Sequence, residues 1–109
     1  MTVSATFQKI QALVRSGEVR VLEHGYDELA VDHLTAREVL AGVAAAVVVE
    51  DYPTFHKGPC ALVRQQDRMG ELIHAVWGLP AGRSSPAVLV TAYRPDPERW
   101  TTDFLRRKP

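Results

Sequence analysis

One cysteine, Cys60, stands in a chain of 109 residues. No disulfide can close within it, and nothing points to an oxidising compartment. Net charge is missing too, because 13 Lys and Arg balance 13 Asp and Glu. That excludes a protein that grips nucleic acid through bulk charge alone. Long apolar runs are absent. The longest, Val43 to Val49, falls far short of the roughly 20 residues a membrane-spanning helix needs. The opening MTVSATFQK lacks the basic start and apolar stretch of a secretory signal. A cytoplasmic location without membrane contact is the expectation. Catalytic signatures are equally scarce: there is no G-x-G-x-x-G, P-loop, paired-cysteine zinc spacing or G-x-S-x-G. The histidines His24, His33, His56 and His74 show no i, i+4 spacing on a predicted helix, so neither a metal nor a cofactor is expected.

What is present suits one globular domain over residues 1–109. The hydrophobic fraction of 46% and charged fraction of 24% are ordinary for a chain that buries a core. Charge is unevenly placed. Residues 1–55 hold 4 basic and 8 acidic side chains, and residues 56–109 hold 9 basic and 5 acidic. A basic half can attract an anion locally, although solvated charge alone accounts for the same pattern.

Phe7, Ile10, Leu13 and Val14 recur at helical spacing before Gly17, predicting a helix from Ser4 to Ser16. Val19 to Leu22 reads as a short strand or extended lead-in, and His24 to Leu29 as the opening of a short helix. Thr35-Ala36-Arg37-Glu38 is a capping box, and it predicts a helix from Ala36 to about Ala44. The β-branched Val47-Val48-Val49 begins a strand that Pro53 stops. Cys60 to Arg64 and Leu72 to Trp77 read as a hairpin around an Asp67–Gly70 turn. Gly78 to Pro86 is a loop. Ala87 to Tyr93 is apolar enough for a central strand covered on both faces. Asp96 and Pro97 predict a last short helix, with Trp100 and Phe104 as its core anchor and Arg106-Arg107-Lys108 in its final turn. The expected fold is α+β: N-terminal helices on a C-terminal antiparallel sheet of about four strands, closed by a short C-terminal helix.

Four residues stand out for chemistry. His24 lies at a strand-to-helix junction, close in sequence to Glu23, Asp27 and Glu28. It can move protons near neutral pH, or simply cap or pack the helix it precedes. His74 shares a strand face with Leu72 and Val76, where a histidine is commonly a hydrogen-bonded core member. A second acid–base role is its other reading. Tyr93 and Arg94 end the last long strand, where a phenol and a guanidinium can hold a phosphate. They can equally stack and lie on the surface.

Leu72 to Trp100, LIHAVWGLPAGRSSPAVLVTAYRPDPERW, resembles the bacterial domain-of-unknown-function family numbered 4258. The His24-Gly25 step, the Glu38-Val39 pair, the Asp51-Tyr52-Pro53 turn and the Arg106-Arg107 ending are also similar to it. Many members carry two arginines after the histidine step; His24 to Val31 here has none. The family's layout is similar to RNA-cleaving toxin domains of the RelE, barnase and colicin kind. The resemblance implies a metal-independent endoribonuclease or toxin–antitoxin component, with His24, His74, Tyr93 and Arg94 as its catalytic set and RNA as its partner. The alternative is a non-catalytic domain that self-associates or binds a partner protein, through the Gly78–Pro86 loop and an exposed sheet edge.

Overall fold

A computed structural model describes residues 4–109. Ser4 caps α1 (Ala5–Arg15), its hydroxyl accepting from the Phe7 amide at 3.0 Å, and Gly17 ends it at φ 82°, in the left-handed region that glycine occupies without strain. There follow β1 (Val19–Val21), α2 (Glu23–Val31) and α3 (Ala36–Gly42). Both bonds of the Thr35–Glu38 capping box form on α3. That helix stops two residues short of the expected Ala44, continuing as a tighter 3-10 turn over Val43–Ala45. The remainder of the sheet is β2 (Val47–Tyr52), β3 (Cys60–Gln66), β4 (Leu72–Gly78) and β5 (Ala87–Tyr93).

The α+β expectation holds at the coarse level, with two corrections. The sheet has five strands in the order β1-β5-β4-β3-β2. The four from β2 to β5 form the antiparallel meander, while β1 pairs in parallel with β5, Val19 opposite Ala87. Residues after Tyr93 form turns rather than a closing helix. Asp96 does start one turn, its carboxylate accepting from the Glu98 amide at 2.9 Å. Then Asp103 takes the Leu105 amide at 3.0 Å, and Thr101 the Arg106 amide at 3.3 Å. Phe104 turns left-handed at φ 57°, which no α-helix tolerates. The chain folds back on itself, with Trp100 bridging Arg107, so the basic end does not cap a helix dipole.

Strand alternation divides the sheet into two unlike faces. Ala61, Val63, Ile73, Ala75, Trp77, Leu89 and Ala92 turn toward α1 and α3 and join Phe7, Ile10, Val39 and Val43 in the core. One polar chain crosses it. The buried Gln65 side chain donates to the Val39 carbonyl at 2.6 Å and accepts from the Trp77 indole at 3.4 Å. The opposite face carries Leu62, Arg64, His74, Val76, Thr91 and Tyr93 in matching rows. The folded-back C-terminal segment covers only one end of it. β5 is therefore unevenly covered: Ala87, Leu89 and Ala92 are buried and the residues between them half-buried.

α2 fills the flank of β5 beyond the short β1. The Leu22 amide still donates to the Leu89 carbonyl at 3.2 Å, and Leu29 reaches the core. Gly25 makes this approach possible, because a Cβ there would stand 2.9 Å from the Val90 carbonyl oxygen. Gly25→Ala is expected to destabilise the fold by about 1–3 kcal/mol through overpacking, despite alanine's better helix propensity. Urea unfolding measures it, and an unchanged or raised midpoint would contradict this account of the α2–β5 contact.

Candidate functional site

The residues singled out from the sequence fall into three environments. His24 is exposed on the first turn of α2. Glu28 follows at i+4, on the same side of the helix, and its carboxylate accepts a hydrogen bond from the Thr91 hydroxyl. Thr91 and Tyr93 are two apart on β5 and share the face that turns away from α1 and α3. α2 thus runs alongside β5, with the turn that carries His24 beside Leu89 and Val90.

His74 lies opposite both Arg64 and Tyr93 in the sheet register. It is fully buried. Trp100 stands edge-on to the imidazole at 4.5 Å between ring centroids, with Tyr93 at 5.7 Å and Phe104 at 6.3 Å. Nε2 is 2.7 Å from the Phe104 carbonyl oxygen. A carbonyl only accepts, so Nε2 carries the proton. Nδ1 is buried with no partner among the described residues. Arg107 closes the cluster from outside. Its guanidinium lies 4.6 Å from the centre of the Trp100 ring and holds the Glu50 carboxylate through two bonds of 3.0 and 3.3 Å. That hydrogen bond keeps the Glu50 carboxyl below its usual range, and burial pushes the Tyr93 phenol up, keeping it protonated.

Arg94 departs from Tyr93, as consecutive strand residues do. Its guanidinium pairs with Asp67 at 2.8 Å, with Glu71 at 3.8 Å. Its backbone amide and Nε donate to the Asp32 carboxylate and carbonyl. Burial alone would raise the Asp67 carboxyl, but Arg94 and the Glu71 and Met69 amides outweigh it and hold it low. Arg94 therefore ties the end of α2 to the β3–β4 turn. His74 and Tyr93 are brought together; Arg94 faces elsewhere, and His24 lies on the α2 flank. Among the described residues, no three His, Cys, Asp or Glu side chains are grouped to hold a metal ion.

Sequence reading missed the roles of Glu28, Thr91, Glu50 and Arg107. The Asp67–Gly70 turn fixes the hairpin register, and with it the pairing of His74 with Arg64, which was open to inference. The return of Arg107 to Trp100 was hidden by the expected helix.

The burial of His74 has a measurable consequence. Burial lowers its pKa from the ordinary 6.5, outweighing the Phe104 bond that favours the charged form. An unfolded chain takes up this proton as pH falls through 6.5, and the folded chain does so only lower. The stability this supplies is complete above pH 6.5 and is lost as pH falls toward the folded value. His74→Phe is expected to flatten the fall in urea midpoint just below pH 6.5. An equal fall in both proteins would contradict the assignment.

No curated protein and no solved structure matches this chain. One family model does, over residues 21–94, from the end of β1 to Arg94. It spans α2, His74 and Tyr93 and stops before the segment that covers them. The chain belongs to the family described as domain of unknown function DUF4258.

Proposed function

We propose that this domain is a non-catalytic interaction domain that binds a partner protein along the β2 side of its sheet. The observation that carries this reading is the outer rim of β2. β2 is the last strand in the sheet order, and its outward backbone groups pair with no described strand. Val47, Tyr52 and, just beyond the strand, Phe55 are 39%, 44% and 45% exposed. An unpaired rim flanked by apolar side chains is a template for strand addition. The 78–86 loop adjoins the β2–β3 connection. The Leu79 amide donates to the Pro59 carbonyl at 2.9 Å, and a Cβ on Gly58 would collide with the Leu79 carbonyl.

Charge favours a different protein over a second copy. Asp51 sits mid-strand, so antiparallel self-pairing centred there would set two like carboxylates across the seam, which repel.

A second reading, metal-independent RNA cleavage, is favoured by the Glu28–Thr91 bond. It packs the helix that carries His24, the candidate proton carrier, along β5. The acids of α2, Glu23, Asp27, Glu28 and Asp32, oppose it, because they repel a phosphate backbone.

The interaction reading predicts a monomer by light scattering and no RNA cleavage in EDTA. His24→Ala-sensitive cleavage of mixed RNA would replace it with the second reading. A Tyr52→Asp, Phe55→Asp double variant is expected to weaken capture of the partner protein at least about thirtyfold, the scale of lost hot-spot aromatics. Both side chains are exposed, so the urea midpoint should hold. Undiminished capture would overturn the assigned surface.

A further inference from the structure

A cleft of about 620 Å³ opens between α3 and the far end of β3, within the size range of small-molecule sites. The apolar side chains in its lining come from Ala41, Ala45 and Leu72. Gly42 brings α3 close to the strand: a Cβ there would stand 2.7 Å from the Gln66 carbonyl oxygen and 2.8 Å from the Gln65 side-chain Nε2. The helix can therefore lie flush against the strand.

The rim is cationic. Arg37 and Arg68 line it, and Arg64, whose side chain leaves the sheet on the face away from α3, also borders it. Two carboxylates reach the same space, and the protein itself engages both. The Glu38 side chain is 5% exposed and accepts from the Thr35 and Arg68 amides at 2.7 and 3.0 Å. The Asp67 side chain is 2% exposed, and it accepts from the Met69 and Glu71 amides besides pairing with Arg94. The guanidiniums are far less committed. Arg37 is exposed and makes no hydrogen bond or ion pair among the described residues. Arg68 is 62% exposed and only 3.5 Å from Glu38 at its nearest. Arg64 spends Nη1 on the Asp103 carbonyl at 2.9 Å and keeps its remaining donors. The Asp103 carboxylate, nearby, is taken by the Thr101 hydroxyl and the Leu105 amide.

We propose that this cleft binds a phosphate-bearing small molecule with a flat ring body, of mononucleotide size. Guanidinium forks match phosphate oxygens in bidentate pairs. Several of them around one cleft suit a dianion with three oxygens better than a single carboxylate. The apolar lining of Ala41, Ala45 and Leu72 receives the ring. The site shares no residue with the proposed β2 contact surface and stands or falls separately from it.

The test titrates the full chain with adenosine 5′-monophosphate, phenyl phosphate, adenosine and benzoate, following backbone amides by NMR. Both phosphate esters are expected to give saturable shifts confined to α3 and residues 64–72. Adenosine and benzoate should bind at least about tenfold more weakly, as loss of one charge-assisted contact implies. Arg37→Gln and Arg68→Gln should each weaken binding by about tenfold on the same scale, with the urea midpoint unchanged. Arg83→Gln, outside the cleft, should leave binding unchanged. The proposal is overturned by no saturable shift at millimolar ester, by benzoate or adenosine binding equally well, or by variants that bind as the parent does. A short oligoribonucleotide that binds where neither ester does would also overturn it, in favour of a nucleic-acid groove.

Discussion

The contact between His74 and the Phe104 carbonyl governs how the second face of the sheet is finished. Strand alternation commits Ile73, Ala75 and Trp77 to the helices, which forces His74 out on the other side. An imidazole can sit there dry only if something polar meets it. The C-terminal segment supplies that group and, with it, Trp100 and Phe104. Remove the segment and a buried histidine becomes an exposed one beside a row of half-buried apolar residues. The turns after Tyr93 thus bring a polar group to one side chain in β4. They replace a helix because Phe104 presents its carbonyl from a left-handed residue.

The same logic of satisfied polar groups runs through the molecule and explains its polarity. Glu38, Asp67 and Glu50 are each held by amides or guanidiniums, so the carboxylates of the α3 and β3 end are spent internally. The arginines of that end keep donors facing solvent. At the other flank, α2 carries acids with few basic partners. A chain of zero net charge therefore presents poles of opposite sign, an arrangement that orients an approaching ion without attracting it over long range.

Much of the fold was legible in the residues. The capping box at Thr35, the Asp67–Gly70 turn and the β-branched runs each carry a local signal, and the meander follows from them. What sequence periodicity could not convey was tertiary. Val19-Arg20-Val21 is too short to announce a partner, and its pairing with β5 depends on residues far along the chain. The Asp96-Pro97 start predicts a closing helix that does not form, because side-chain oxygens of Thr101 and Asp103 take the Arg106 and Leu105 amides into turns instead. For the candidate site, the closeness of His74 and Tyr93 follows from hairpin register. The capture of Arg94 by Asp67, and the place of His24 on the α2 flank of β5, depend on tertiary packing. Arg37, Arg64 and Arg68 looked like scattered surface charge because α3 and β3 meet only in three dimensions.

The parallel pairing of β1 with β5 joins positions as far apart as Val19 and Ala87. Every other strand is threaded between them. Closing so long a loop costs entropy that no local contact returns, so this seam forms late and slowly compared with the hairpins. On a ribosome the consequence is a matter of timing. β1 leaves the exit tunnel early and stays partnerless until β5 has emerged behind it. Until then α2 has no flank to rest on. Nascent chains cut short before residue 87 would hold a meander without its outer strand, a natural substrate for chaperones and proteases.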